Sequence, residues 1–173
     1  RKFGRVVHNG EVIREGYDQL LETIDKIRNK PEDRRNIISL WDPYANQKSL
    51  LPPCPCFYQV FPNQPGYLHM NLYQRSCDTF LGVPFNTSQD SLLLILLAKV
   101  TDRKPKIFNH FFGDMHFYKN HLKQIKTQLE RDPYPLPSLK INRETDNIFD
   151  FEWKDIEIIN YQHHDKIKAP VAV

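Results

Sequence analysis

The chain has 173 residues, 40% of them hydrophobic, which is enough for one domain with its own core. Its 24 Lys and Arg nearly balance 21 Asp and Glu, leaving a net charge of +3. The signs are interleaved, as in Asp25-Lys26-Ile27-Arg28 and Lys30-Pro31-Glu32-Asp33-Arg34-Arg35, which describes a solvated surface and argues against a nucleic-acid footprint.

Apolar residues at 13, 17, 20, 21, 24 and 27 predict an amphipathic helix from Ile13 to Ile27, ended by Lys30-Pro31. Asn36 to Trp41 reads as a buried strand, and Asp42 to Pro53 as the loop that delivers Cys54. Cys56–Phe61 and Tyr67–Ser76 read as paired strands around Pro62-Asn63-Gln64-Pro65-Gly66. In the second strand Leu68, Met70, Leu72 and Gln74 share one face, and His69, Asn71, Tyr73 and Arg75 the other. Asn86 or Thr87 is positioned to cap a helix running to Val100, apolar on nearly every side and so expected to be buried at the centre. Lys106 to Phe112 should be a strand entering Gly113; Tyr118, Leu122, Ile125 and Leu129 mark a second amphipathic helix; short strands are expected around Leu139–Ile141 and Ile156–Tyr161. The order of elements is mixed, not a regular alternation, and predicts an α+β fold, a large mixed sheet flanked by helices.

The chemistry concentrates around Cys54, in Leu51-Pro52-Pro53-Cys54-Pro55-Cys56. A thiol is a useful nucleophile as its thiolate, and Arg75 on the neighbouring strand favours that form. Arg75 can also bind a phosphate, and the Asn86 amide offers the donor and acceptor that a pyrimidine edge requires. These residues point to covalent catalysis on a phosphorylated pyrimidine. Cys56 and Cys77 are expected to be core thiols, and His69, His110 and His121 to be structural. Three cysteines do not make a disulfide framework. No secretory leader opens the chain, and its longest apolar run, Leu92 to Val100, is about half a bilayer span, so a reducing cytoplasmic setting is expected (the host's, for a viral protein). Cys54-x-Cys56 and His163-His164 lack the spacing of a metal site, and no metal is expected.

Taken in order, Arg34-Arg35, Leu51-Pro52-Pro53-Cys54, Leu72-Tyr73-Gln74-Arg75-Ser76, Asp78, Leu81-Gly82-Val83-Pro84-Phe85-Asn86, Gly113-Asp114, His116-x-Tyr118 and Ile167-Lys168-Ala169-Pro170-Val171-Ala172-Val173 resemble the thymidylate synthases and their relatives, the phage pyrimidine hydroxymethylases. The resemblance implies one catalytic domain over residues 1–173 that dimerises through a sheet face. It implies that Cys54 attacks C6 of dUMP, and that C5 then captures a one-carbon unit from 5,10-methylenetetrahydrofolate. Gln74, Arg75 and Ser76 match nucleotide-binding positions, the last two of them phosphate ligands. Arg34 and Arg35 match arginines that reach the phosphate from a partner subunit. His116 and Tyr118 match the pair on the sugar hydroxyl, and Asn86 the amide that reads uracil. Asp78 matches a position in both the catalytic and folate sets; Leu51, Gly82, Phe85 and Ala172 match folate-site positions. A relative acting on cytosine would be expected to carry Asp where this chain has Asn86, so dUMP is preferred over dCMP.

The chain departs from the pattern in three ways. The family's N-terminal segment, with a phosphate-loop arginine, a catalytic glutamate and folate-facing tryptophans, has no counterpart in this sequence. Phe3-Gly4 aligns with a Tyr-Gly pair, and Pro55 stands where many relatives have His. The expected product is dTMP. A deoxyuridylate hydroxymethylase giving 5-hydroxymethyl-dUMP is the alternative, and a non-catalytic nucleotide-binding dimer scaffold a further one.

Overall fold

A computed structural model describes residues 2–3 and 6–171. Ala172 and Val173, to which the resemblance gives the folate-side tail, lie outside the described residues, as do Gly4 and the side chain of Phe3. Four short strands open the chain: β1 (Lys2–Phe3), β2 (Val6–His8), β3 (Glu11–Arg14) and β4 (Tyr17–Asp18). Helix α1 (Gln19–Asn29) follows, then β5 (Ile37–Ser39), α2 (Pro43–Asn46), β6 (Pro55–Phe61) and β7 (Tyr67–Asp78). Helix α3 (Gly82–Val100) crosses to β8 (Lys104–His116). A 3-10 turn (Lys119–His121) leads into α4 (Leu122–Leu129), and the ribbon of β9 (Ser138–Ile141) and β10 (Ile156–Ile159) comes last.

The first helix is shorter than its periodicity predicts. Ile13 lies on β3, Tyr17 pairs with Phe3, and the helix begins only at Gln19. Asp18 decides the boundary by accepting hydrogen bonds from the amides of Leu20 and Leu21 at 3.1 and 3.2 Å. From there Thr23, Ile24 and Ile27 face inward.

Helix α3 starts a full turn before the expected caps, at Gly82, so Asn86 and Thr87 lie inside it. Pro84 permits this, because amides of a helix's first turn have no intrahelical acceptor and a missing one costs nothing there. The expected buried strand at 36–41 is a three-residue edge strand with Ile38 in and Ile37 out. The expected loop from Asp42 to Pro53 contains α2, capped by Asp42.

The main sheet has the order β5-β6-β7-β8. The first two pairings are antiparallel and β7–β8 is parallel, so the sheet is mixed as expected. One face carries the core: Tyr58, Val60, Leu68, Met70 and Leu72 pack under Leu94, Leu97, Ala98 and Val100 of α3, with Ile24 and Ile27 of α1 and Ile148 completing the cluster. Within that core Asp90, 1% exposed, accepts a 2.8 Å hydrogen bond from the Tyr58 hydroxyl. Its second carboxyl oxygen has no hydrogen-bond partner among the described residues. The other face leaves Ile37, Phe57, Tyr73, Ile107 and Phe111 exposed.

Candidate active site

Cys54 sits at the entrance to β6, half-buried, and its position is fixed by the main chain. Its carbonyl accepts the Arg75 amide at 2.9 Å. The Arg75 guanidinium reaches back across the strand pair, donating from Nε to the Pro53 carbonyl at 3.0 Å and from Nη2 to Pro52 at 2.9 Å. It also lies 5.3 Å from the Trp41 ring centre. One residue thus holds the loop on the N-terminal side of the thiol. The Cys56 carbonyl holds the C-terminal side by accepting the amides of Leu40 and Trp41 at 2.9 and 3.1 Å.

The parallel pairing of β7 with β8 brings the remaining groups alongside. Gln74 is 1% exposed and donates from Nε2 to the Ser76 carbonyl at 2.9 Å and to Asn86 Oδ1 at 3.1 Å. Its Oε1 lies 2.9 Å from His110 Nε2, and His110 Nδ1 lies 3.2 Å from Thr87 Oγ1. Burial lowers the His110 pKa, which favours the neutral ring. A neutral ring donates from one nitrogen and accepts at the other. Hydrogen bonds can then run in one direction, from Thr87 Oγ1 to His110, from His110 to Gln74 and from Gln74 to Asn86. The last step fixes which end of the Asn86 amide is the acceptor.

At the end of β7, Asp78 accepts the Phe80 amide at 3.1 Å, and Thr79 bonds the His116 carbonyl through both its amide (2.9 Å) and its hydroxyl (3.0 Å). His116 and Tyr118 meet edge to face, ring centres 5.4 Å apart. Phe85 (76% exposed) and Leu51 (82% exposed) present apolar side chains to solvent. Cys77 is fully buried, with burial the main cause pushing its thiol pKa up, so it is an inert neighbour. Among the described residues no group of three or more His, Cys, Asp or Glu is placed to hold a metal.

A family model described as thymidylate synthase matches residues 2–173. The chain belongs to the thymidylate synthase family. Thymidylate synthases of Malacoplasma penetrans and Mycoplasma pneumoniae are 47% and 49% identical to it over 158 residues, which is 91% of this chain. That of Mesoplasma florum is 48% identical over the same length. The chain spans about half the length of these relatives, 54–55%.

Cys54, Gln74, Arg75, Ser76, Asp78, Gly82, Asn86, His116 and Tyr118, the positions expected from the family motifs, fall on β7, the turn before β6, the start of α3 and the end of β8. Arg34 and Arg35 do not join them. They precede β5, at the far end of β6 and roughly 20 Å from Cys54 by strand rise alone, and Arg34 lines an open cleft with Gln59 and Phe61. Arg35 is occupied by Asp33, with Nε to Oδ1 at 2.9 Å and Nη2 to Oδ2 at 3.1 Å. The Arg35 hydrogen bonds hold the Asp33 carboxyl down to about 2. Sequence reasoning missed His110 and Thr87 as site residues. The one available signal was the alternation of β8, which sets His110 and Phe108 on a common face. Cys56 is half-buried, not a core thiol: it falls at the register shift between Pro55 and Phe57, before the pairing of β6 with β5 begins. Among the described residues no helix is long and apolar enough to cross a membrane.

Proposed function

We propose that this chain carries the nucleophile and the nucleotide-binding half of a thymidylate synthase, transferring a one-carbon unit from 5,10-methylenetetrahydrofolate to C5 of dUMP and giving dTMP. The observation that carries the reading is the Asn86 amide oriented by Gln74, whose place on β7 pairs with Pro55, next to the main-chain-anchored Cys54. With Oδ1 accepting from Gln74, the Asn86 amide nitrogen is free to donate to uracil O4, and Oδ1 has a second lone pair for the N3–H. Cytosine, with a donor at C4 and an acceptor at N3, meets the same amide with both polarities reversed. Sulfur addition at C6 pushes the ring electrons onto C5 and O4, and the Asn86 N–H faces that oxygen as charge develops. Once C5 has given up its proton to a base, expulsion of the Cys54 sulfur restores the C5–C6 double bond and frees the enzyme.

His116 and Tyr118 are assigned to the sugar hydroxyl, and Arg75 and Ser76 to the phosphate. The exposed Leu51 and Phe85, with Asp78 and Gly82, are assigned to the flat heteroaromatic ring of the folate. A Cβ on Gly82 would stand 3.5 Å from Asp78 and 3.6 Å from Asn86. Bound there, the folate supplies the one-carbon unit and the hydride that makes it a methyl group. The test is the mass of the product from dUMP and methylenetetrahydrofolate. Thymidylate with dihydrofolate supports the synthase. A 5-hydroxymethyl product with tetrahydrofolate overturns it in favour of the hydroxymethylase, and neither product, with no adduct on Cys54, overturns it in favour of a binding scaffold.

We further infer a two-fold homodimer through the bare sheet face, with Arg34 and Arg35 reaching the partner's phosphate site. Across that face Gln59, Asn71 and Asn109 are in register and form an amide row, Asn109 Nδ2 donating to Asn71 Oδ1 at 2.8 Å and Asn71 Nδ2 to Gln59 Oε1 at 3.4 Å. Phe57, Tyr73 and Phe111 form an aromatic row on one side; Phe61, His69 and Ile107 form a second row on the other. Such a face can meet its own copy row on row. Mixing chains that carry Arg34→Ala and Arg35→Ala with chains that carry Cys54→Ser should restore activity in hybrid dimers. Failure to complement would refute shared sites.

A further inference from the structure

From Asn160 onward the described chain has no helix or strand, yet it is held along its length. The hold comes from side chains of the 3-10 turn, of α4 and of the bend just beyond α4. His121 Nε2 lies 2.7 Å from the Pro170 carbonyl, Gln124 Nε2 3.4 Å from the Lys168 carbonyl and Arg131 Nη1 2.8 Å from the Asp165 carbonyl. His121 ends the 3-10 turn, Gln124 lies in the first turn of α4 and Arg131 just past its end, so their partners fall in reverse order and the segment runs antiparallel to α4. All three acceptors are backbone carbonyls, and the segment adds a side chain of its own: His164 Nε2 lies 2.8 Å from the Asp132 carbonyl and its ring packs on Tyr134, centres 4.6 Å apart.

His121 differs from the other two. It alone of the three is fully buried, at 0% exposure, and its Nδ1, like Gln124 Oε1, is buried with no hydrogen-bond partner among the described residues. A carbonyl only accepts, so Nε2 carries the proton. The ring is packed against Tyr118, with centres 5.8 Å apart at 76°, and against Phe80 of the turn after β7, with centres 5.4 Å apart. One imidazole therefore touches the C-terminal segment, the ring assigned to the sugar and the turn that follows Asp78.

We propose that His121 is a positioning residue that ties the seating of the C-terminal segment to the position of Tyr118. Its purpose, linking the nucleotide site to the C-terminal segment, rests on the function proposed above. The link itself does not, and it is measured without ligand. In His121→Phe the ring and its packing remain but the donor is lost. In His121→Gln the side-chain amide puts an N–H near the place of Nε2.

Hydrogen exchange on the full chain reads the outcome at the amides of residues 165–171, omitting Pro170. His121→Phe is expected to speed exchange there about fivefold, the weight of one ordinary hydrogen bond, with the amides of β6 and β7 unchanged. His121→Gln is expected to restore most of the protection. Tyr118→Leu should loosen the same amides in the parent chain and have no effect in His121→Phe, a coupling that independent sites would not show. Unchanged exchange in His121→Phe, equal loosening in both His121 variants, or additive effects of the Tyr118 and His121 changes would each overturn the proposal. Adding dUMP then separates the two readings. An unaltered coupling in a chain that does not bind dUMP leaves the link standing and removes the proposed function.

Discussion

A chain carrying Cys54→Ser is expected to fold with unchanged stability and to form no covalent adduct with 5-fluoro-dUMP and methylenetetrahydrofolate. The fluorine at C5 cannot leave as a proton does, so the parent chain should be trapped with nucleotide and folate bonded to it, visible as a mass increase. The fold should survive because the bonds that seat residue 54 are main-chain bonds. The Arg75 amide holds its carbonyl and the Arg75 guanidinium holds Pro52 and Pro53. A hydroxyl is a far weaker nucleophile than a thiolate, so turnover should fall by roughly 10⁴-fold or more. Peptide mapping should place the parent adduct on Cys54. An adduct that persists in Cys54→Ser, or that maps to Cys56, would remove Cys54 from its assigned role.

Gly113→Ala is expected to lower stability by about 1–3 kcal/mol and to disturb Cys54 at the same time. Gln74 pairs with Phe112 and Ser76 with Asp114, so Gly113 lies opposite Arg75 in the parallel ladder. A Cβ on it would come to 2.9 Å from the Arg75 carbonyl oxygen, 3.2 Å from its Cα and 3.0 Å from the Tyr73 hydroxyl. Tyr73 is half-exposed and can swing away; the Arg75 backbone cannot move without taking the Cys54 carbonyl and the two proline carbonyls with it. Gly82→Ala is the matched control, since its Cβ finds only ordinary contacts at 3.5 and 3.6 Å. Urea titrations should show the midpoint falling for Gly113→Ala with the slope unchanged, and a much smaller change for Gly82→Ala. Equal effects of the two alanines would show that backbone proximity is not what selects glycine at 113.

The sequence made some of this legible and hid the rest for identifiable reasons. The pairing of Cys56–Phe61 with Tyr67–Ser76 was readable because the turn at Pro62–Gly66 and the alternation of Leu68, Met70 and Leu72 agree. The start of α1 was misread because Ile13 and Tyr17 happen to fall on a helical period while belonging to strands. Gly16 and the capping Asp18 were the better guide. The start of α3 was set too late because Asn86 and Thr87 are good capping residue types, whereas the helix begins at Gly82 with no side-chain cap and its first turn tolerates Pro84. The motif residues could be named because each motif is contiguous. The relay from Thr87 through His110 and Gln74 to Asn86 could not, because it spans three elements and exists only in one register of β8 against β7. The same holds for His121, whose partner is 49 residues away.

The Asp90–Tyr58 pair makes the core a proton acceptor. Burial, set against hydrogen bonds from Tyr58 and Gln89, raises the Asp90 pKa above the ordinary value of 3.8. The folded chain thus binds a proton more tightly than the unfolded one, and the linkage has a definite sign. This group's contribution to stability is full below pH 3.8 and is lost as the pH rises through the raised value. Tyr58 is pushed up as well, by burial first and the Asp90 charge second, so it stays protonated and keeps donating across that window. Surface carboxylates held low, such as Asp33, pull stability the opposite way in acid. The helix that presents Asn86 to the site is therefore seated on a buried group whose charge is set by the solution's pH.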